Sequence, residues 1–290
     1  MRSRQVARRG PRRAVPAHVY LRRRVALLAV LVGAAGVAVI AEAGGQGAAG
    51  PPPPAAVNSH RAVTPAVPGP KAPAIRDVVA LGDSVPAGTA CTCTPYVDLV
   101  ADALATAQAA PVAAHNLAVA GQTTAGLIAQ LHDPHAVSAL RRADVVIVTI
   151  GANDLEEAAG CSPSSSSACY ASDLRALRTT YAQMLTRVHA LVPRQSHIIV
   201  TGYWSVFLDG SVARHLGTTY VRNSKALTYA VNSIIASAAA TASVTYVDVF
   251  TPFRGDGDRD DTALLAADGD HPSAAGHRVI AASILATLPG

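Results

Sequence analysis

Apolar residues along the chain concentrate in five short runs that are rich in β-branched side chains. Strands buried on both faces of a sheet have this pattern, whereas half-exposed strands alternate apolar with polar residues. The pattern therefore predicts five buried strands. These are Val78–Leu81, His115–Val119, Val145–Ile150, His197–Thr201 and Val244–Val249.

Segments with helical spacing of apolar residues lie between these runs. Leu177, Tyr181, Leu185 and Val188, for example, recur every three or four positions and would share one face of a helix. Strand and helix alternate along the chain, which predicts an α/β fold whose parallel sheet is covered on both faces. The predicted helices are Pro95–Ala109, Thr124–Leu131, Leu174–Leu191, Tyr220–Ala240 and Ala274–Leu288.

The first part of the chain departs from this alternation. Residues 1–24 contain nine arginines and no acidic residue, and an apolar run of 17 residues, Val25–Ala41, follows them. Small residues at positions 41 and 43 suit a signal peptidase, so residues 1–43 are predicted to be a secretory signal peptide. An uncleaved N-terminal membrane anchor is the alternative, because a membrane span needs about 20 apolar residues.

Residues 44–74 are rich in Gly, Pro and Ala and include four consecutive prolines. Such a composition cannot bury a core, and it predicts an extended linker. The folded domain is then residues 75–290, a length that suits a single domain. Nothing in this domain requires more than a monomer.

The charge of the chain is unevenly distributed. The formal net charge is +5, but nine of the arginines belong to residues 1–43. Without that segment 15 basic and 18 acidic residues remain, which leaves a net charge near −3. No basic patch of the kind that follows a phosphate backbone is present, so the sequence argues against a nucleic-acid partner.

The four cysteines are Cys91, Cys93, Cys161 and Cys169. An even number in an exported chain favours disulfides. A Cys161–Cys169 bridge, closing a small serine-rich loop, is the preferred pairing. A direct Cys91–Cys93 bridge would be strained, so cross-pairing of the two groups stays open. The spacing is not a usual zinc pattern, and no metal is predicted.

Residue types that acyl transfer needs follow the predicted strands. Ser84 comes after the first strand, Gly121 after the second and Asn153 after the third. Asp268 and His271, three positions apart, lie beyond the fifth strand. Because the carboxyl ends of parallel strands meet at one edge of a sheet, the fold would bring all five residues together.

Each of these residues has a chemical role in acyl transfer. Ser84 would be the nucleophile, His271 its base, and Asp268 the carboxylate that orients the imidazole. The oxyanion hole would consist of the N–H groups of Ser84 and Gly121 and the side-chain amide of Asn153. Gly121 suits this role because it lacks a Cβ and allows close approach.

These motifs resemble the SGNH/GDSL hydrolase family over essentially all of residues 75–290. The chain departs from the family pattern at Val85, where Leu is common, and at Asp270, a usually apolar position. The four family blocks stand in family order as Gly82-Asp83-Ser84, then Gly121, then Gly151-Ala152-Asn153-Asp154, then Asp268-Gly269-Asp270-His271-Pro272.

The resemblance implies a three-layer α/β/α sandwich with a five-stranded parallel sheet. It also implies that Ser84, Gly121, Asn153 and His271 are the four residues of the family name, with Asp268 completing a triad. The chain looks most similar to the secreted actinobacterial esterases and lipases of the family. No cofactor is implied, and the expected substrate is a small-molecule or lipid ester.

The predicted function is therefore a secreted carboxylic ester hydrolase that works through an acyl-serine intermediate. Two alternatives use the same residues, a cell-envelope acyltransferase and a polysaccharide deacetylase. A third alternative is a non-catalytic binding domain tethered to the envelope. The last is disfavoured because a binding module has no need of a matched Ser, Asp and His.

Two further features carry weaker predictions. Tyr203, Trp204 and Phe207 follow the fourth strand and suit either an apolar wall for the acyl group or ordinary packing. The acidic run Asp256–Asp261 does not match a calcium-binding loop. It is predicted to be a solvated loop.

Overall fold

Five parallel strands form the central sheet in a computed structural model, which describes residues 74–156 and 160–288. The strands pair in the order β2-β1-β3-β4-β5. Every residue of β3 is buried, and since successive side chains point to opposite faces, both faces of the sheet are covered. The strands are β1 (Asp77–Gly82), β2 (Ala113–Asn116), β3 (Val145–Thr149), β4 (His197–Thr201) and β5 (Thr245–Val247).

Helices occupy the connections between the strands and after the last one. Helices α1 and α9 pack against each other, and α5 packs against α2 and α7. The helices are α1 (Tyr96–Gln108), α2 (Thr124–Gln130), α3 (Pro134–Leu140), α4 (Asn153–Glu156), α5 (Ala171–Leu191), α6 (Gly210–His215), α7 (Thr218–Ala242), α8 (Phe250–Arg254) and α9 (Ala274–Leu285). The α/β fold and the five-stranded parallel sheet are as predicted.

The strand order determines which loops meet at the carboxyl edge of the sheet. β1 lies between β2 and β3, so the chain leaves β1 at the point where the order of the strands reverses. Loops at such a switch point diverge and leave a crevice outside the strand ends. The residues that follow β1, β2 and β3 are therefore neighbours around this crevice.

The second strand lies earlier in the sequence than predicted. The apolar run His115–Val119 was expected to be the strand, but β2 is Ala113–Asn116 and Val119 is 49% exposed. β2 is an edge strand with no residue fully buried, so its bounds follow from pairing with β1 rather than from hydrophobicity. The helices α3, α4, α6 and α8 were not predicted, and α4, α6 and α8 have only 4, 6 and 5 residues, too few to show a periodic pattern.

Two predicted segments lie outside the described residues. They are the signal peptide or anchor at 1–43 and nearly all of the linker at 44–74. Among the helices of the described part, none is long and apolar enough to cross a membrane.

Candidate active site

The nucleophile turn, Gly82–Val85, leaves the end of β1. Gly82 has a φ of 138°, and a Cβ there would lie 1.9 Å from the carbonyl oxygen of Thr149. Only glycine, which has no Cβ, allows the chain to pass this close to the Thr149 carbonyl group. The next N–H, that of Asp83, donates to the same carbonyl oxygen at 3.0 Å. The turn is thereby bound to the end of β3, with the Ser84 side chain only partly buried.

The base loop, Asp268–His271, brings together the predicted acidic residue and histidine. His271 Nδ1 lies 2.7 Å from Asp268 Oδ2, and the His271 side chain is buried. Asp268 Oδ1 also accepts the N–H groups of Asp270 and His271. Partial burial acts to raise the pKa of Asp268, but the bond from His271 and the two backbone bonds outweigh it and lower that pKa to about 2. The carboxylate is therefore ionised at neutral pH.

The second carboxylate of the base loop is farther from the imidazole. Asp270 Oδ2 is 3.8 Å from His271 Nδ1, against 2.7 Å for Asp268. Hydrogen bonds of this kind have lengths near 2.7–2.9 Å. Asp268 is therefore the residue that can orient the ring, and Asp270 acts on it by charge.

The base loop interacts electrostatically with the nucleophile turn. Burial raises the pKa of Asp83 to about 7, and the charges of Asp270 and His271 act on this carboxyl as well. Interactions of this kind need groups that lie close together. Asp83 directly precedes Ser84, so the charges of the base loop act on a carboxyl of the nucleophile turn.

The predicted oxyanion-hole residues Gly121 and Asn153 lie on loops that are hydrogen-bonded to each other. Asn153, at the start of α4, donates its Nδ2 to the backbone oxygen of Gln122 at 2.8 Å. An amide nitrogen carries two N–H groups, so a second remains for another acceptor. Gly121 is exposed and has a φ of 79°, and no atom lies within 4 Å of the position of its missing Cβ. The glycine is thus required by the left-handed backbone rather than by a neighbouring atom.

Asp154, the last residue of the Gly151–Asp154 block, has a bracing contact that sequence analysis did not assign. Its carboxylate accepts both the Thr124 N–H, at 2.9 Å, and the Thr124 hydroxyl, at 2.5 Å. Thr124 begins α2, directly after the Gly121 segment. This carboxylate therefore joins the loops that carry Asn153 and Gly121. No sequence signal pairs the two residues, which are 30 positions apart.

The residues after β4 do not form an exposed acyl wall. Tyr203, Trp204 and Phe207 are 1%, 2% and 6% exposed. Trp204 stacks on Phe253 with ring centroids 4.7 Å apart, which is packing. The Tyr203 hydroxyl donates to Asp83 Oδ2 at 2.5 Å. Because a buried tyrosine usually hydrogen-bonds a polar partner, the sequence could suggest that Tyr203 has one. It could not identify that partner as Asp83.

The acidic run before the base loop is only partly solvated. Asp256, Asp258 and Asp260 are exposed, as predicted, whereas Asp261 is 1% exposed. Burial, together with the neighbouring carboxyl of Asp209, raises the pKa of Asp261 to about 7. The prediction of a solvated loop is therefore wrong at Asp261, because the chain turns inward toward a buried acidic partner.

The cysteines lie in two local pairs. The Cα atoms of Cys161 and Cys169 are 5.9 Å apart, and those of Cys91 and Cys93 are 5.1 Å apart. Both separations suit a disulfide. The structure therefore has the preferred Cys161–Cys169 pair, and it has the direct Cys91–Cys93 pair instead of cross-pairing.

In open parallel sheets, ligands bind where the strand order reverses, and a serine, a histidine and a carboxylate are the residues that serine hydrolases use. The model of the GDSL-like Lipase/Acylhydrolase family matches residues 80–279. The chain belongs to this family and is a serine ester hydrolase. A comparison with curated proteins gave no match.

Solved structures with the same fold include lipases and a carbohydrate esterase. A lipase from a goat rumen metagenome is 16% identical with a TM-score of 0.60, and the match covers 73% of this chain and 96% of the lipase. The extracellular lipase of Streptomyces rimosus is 22% identical with a TM-score of 0.55, and the match covers 73% of this chain and 100% of that lipase. A variant of an acetyl-xylooligosaccharide esterase from Geobacillus stearothermophilus is 20% identical with a TM-score of 0.53. This match covers 73% of this chain and 93% of the esterase.

Proposed function

We propose that this ester hydrolase works through an acyl-Ser84 intermediate. The observation that carries the proposal is the buried His271, whose Nδ1 lies 2.7 Å from Asp268 while its charge acts on the residue next to Ser84. Asp268 keeps the proton on Nδ1, which leaves Nε2 as the base. The ionised state of Asp268 supports this role.

In the acylation step His271 Nε2 takes the proton of the Ser84 hydroxyl as Oγ attacks the ester carbonyl carbon. The tetrahedral oxyanion accepts hydrogen bonds from the N–H groups of Ser84 and Gly121 and from Asn153 Nδ2. His271 then gives its proton to the leaving alcohol, and the ester C–O bond breaks. Water repeats the sequence on acyl-Ser84 and releases the carboxylic acid, so no cofactor is consumed.

The substrate class depends on two parts of the ester, the length of its acyl chain and the alcohol to which that chain is joined. Lipases and an acetyl-xylooligosaccharide esterase share this fold, so both long acyl chains and acetyl groups on sugars are candidates. We propose a carboxylic ester hydrolase of the esterase/lipase type. Transfer of the acyl group to a cell-envelope acceptor is the alternative outcome of the test below.

The test is hydrolysis of p-nitrophenyl esters from acetyl to palmitoyl, and of acetylated xylo-oligosaccharide, with Ser84→Ala alongside. We expect turnover that is lost in Ser84→Ala, together with fluorophosphonate labelling of Ser84 that is lost in the same variant. Ser84→Ala with unchanged turnover would overturn the acyl-serine mechanism. Products formed with added alcohols or glycans separate water from other acceptors.

We also propose that the protein is exported and either released or held at the cell envelope. The basic segment, apolar run and small residues of positions 1–43 support export, and the two close cysteine pairs suit disulfides in an oxidising compartment. Mass spectrometry of the exported protein tests this proposal. A mature N-terminus at residue 44 is expected for a signal peptide, and an intact N-terminus in the membrane fraction for an anchor. Retention inside the cell contradicts both.

A further inference from the structure

The phenol of Tyr203 lies directly beneath the nucleophile turn. Tyr203 follows the end of β4, is 1% exposed and donates its hydroxyl to Asp83 Oδ2 at 2.5 Å. The other oxygen of Asp83 accepts the N–H of Val85 at 3.0 Å. The carboxyl of the residue before Ser84 therefore accepts one bond from the residue after Ser84 and one from Tyr203.

The same phenol oxygen also reaches the turn that carries Asn153. It accepts the N–H of Ala152, the residue before Asn153, at 3.4 Å. The phenol oxygen of Tyr203 thus contacts two turns that are about 70 positions apart in sequence. One turn follows β1 and the other follows β3. Ser84, the proposed nucleophile, comes directly after Asp83, and Asn153, the proposed amide donor, comes directly after Ala152.

Tyr203 is itself held in place by α7. The Asn232 side chain accepts the Tyr203 N–H at 2.9 Å and donates to the Tyr203 carbonyl oxygen at 2.8 Å. Both bonds of this pair are buried, where exchange with water is limited. The backbone of Tyr203 therefore cannot shift without breaking both hydrogen bonds to Asn232, and this fixes the position of the phenol.

The direction of the bond to Asp83 follows from burial. Burial raises the pKa of Tyr203 well above its ordinary value, and the charge of Asp83 raises it further. The phenol consequently keeps its proton and acts as the donor, while its oxygen lone pairs remain available to Ala152. This is the geometry of a clamp with one donor and one acceptor contact.

We propose that Tyr203 is a positioning residue for ester hydrolysis, whose hydroxyl holds the Ser84 turn and the Asn153 turn in register so that the oxyanion donors converge. The inference rests on the proposed roles of Ser84 and Asn153. Alignment matters because a displacement of about 1 Å in a catalytic group can cost about 10² in rate. The hydroxyl acts through both turns and does not contact the reacting atoms.

The experiment compares Tyr203→Phe with Tyr181→Phe. Tyr181 is a matched control, because it is fully buried, is close enough for the charge of Asp83 to act on it, and its hydroxyl has no hydrogen-bond partner among the described residues. Each variant loses one buried hydroxyl. The measurements are kcat and KM for a p-nitrophenyl ester, with active sites counted by fluorophosphonate titration.

For Tyr203→Phe we expect kcat per titrated site to fall by about 10- to 100-fold while KM stays within about twofold. For Tyr181→Phe we expect both parameters to stay within about twofold. A purely structural role would lower the number of titrated sites and leave kcat per site unchanged. That result, or an equal loss in Tyr181→Phe, would overturn the inference.

Asp83→Asn tests the same clamp from its other end if Tyr203→Phe does not fold. At a pH above the pKa of Asp83, which is about 7, the wild-type carboxyl is ionised, and the neutral amide is a weaker acceptor for the phenol. At such a pH we expect the same fall in kcat per site at unchanged KM. Full activity of Asp83→Asn would overturn the inference. If Ser84→Ala remains active, the proposed function fails. If Ser84→Ala is inactive while Tyr203→Phe is fully active, only the positioning role fails.

Discussion

The two halves of the candidate site are built in different ways. The nucleophile turn follows a central strand, and backbone and buried side-chain bonds tie it to β3 and to Tyr203. The base loop follows no strand directly. Two backbone bonds hold it, one from the N–H of Ala266, just before the loop, to the carbonyl oxygen of His271, and one from the N–H of Asp209 to the carbonyl oxygen of Gly269.

The charged groups of the two halves differ as well. Asp83 is 1% exposed, whereas the Asp268 side chain is 38% exposed. Behind the base loop, Arg254 forms a buried ion pair with Asp209 and donates to the Gly257 carbonyl oxygen. The sheet therefore positions the proposed nucleophile, while a loop and a buried charge cluster position the proposed base. The nucleophile half should respond to loss of alignment between its turns, and the base half to loss of the carboxylate that orients His271 and of the buried cation behind it.

The largest effect is expected from Asp268→Asn in the base loop. The asparagine oxygen can still accept the backbone N–H groups, but its NH₂ would face His271 Nδ1 and favour the wrong tautomer. We expect kcat to fall by about 10⁴, the scale of this change in a Ser-His-Asp triad. Asp270→Asn is the control, because its carboxylate lies 3.8 Å from the ring, and it should lose far less. Equal losses in the two variants would show that charge rather than orientation matters.

The next largest effect is expected from Arg254→Met, which leaves the buried carboxyls of Asp209 and Asp261 without their cation. We expect the free energy of unfolding to fall by about 3–5 kcal/mol, the usual cost of breaking a buried pair, as measured by denaturant unfolding. Arg214→Met provides the comparison, because the Arg214–Asp260 pair is half exposed or more and should contribute less than about 1 kcal/mol. If the two variants were equally stable, the base half would not depend on its buried cluster.

A smaller effect is expected from Asn153→Ala on the nucleophile side. Loss of one oxyanion donor should lower kcat by about 10²–10³, as measured with a p-nitrophenyl ester. Asn223→Ala is the control, since that amide donates to the Ser164 carbonyl oxygen at the surface and should leave kcat unchanged. An Asn153→Ala enzyme with full activity would remove Asn153 from the mechanism.

Much of the site could be predicted because its residues occupy short motifs next to strong patterns. Ser84 follows an apolar run that is buried in any parallel sheet, and Asp268 and His271 are close enough in sequence to meet within one loop. The structure places this pair in contact at 2.7 Å. By contrast, the bond between Asp154 and Thr124 spans two separate loops, and no local pattern marks it.

By itself, then, the sequence determined the alternation of strands and helices, the parallel sheet and the order of the motifs, because these depend on periodicity and local spacing. The tertiary structure alone decided the bounds of β2, the burial of Asp261 and the contact of Tyr203 with Asp83. An edge strand takes its register from its neighbour, and a buried polar group takes whichever partner the fold brings within hydrogen-bond distance. Both depend on residues that are distant in sequence, so neither has a local signal.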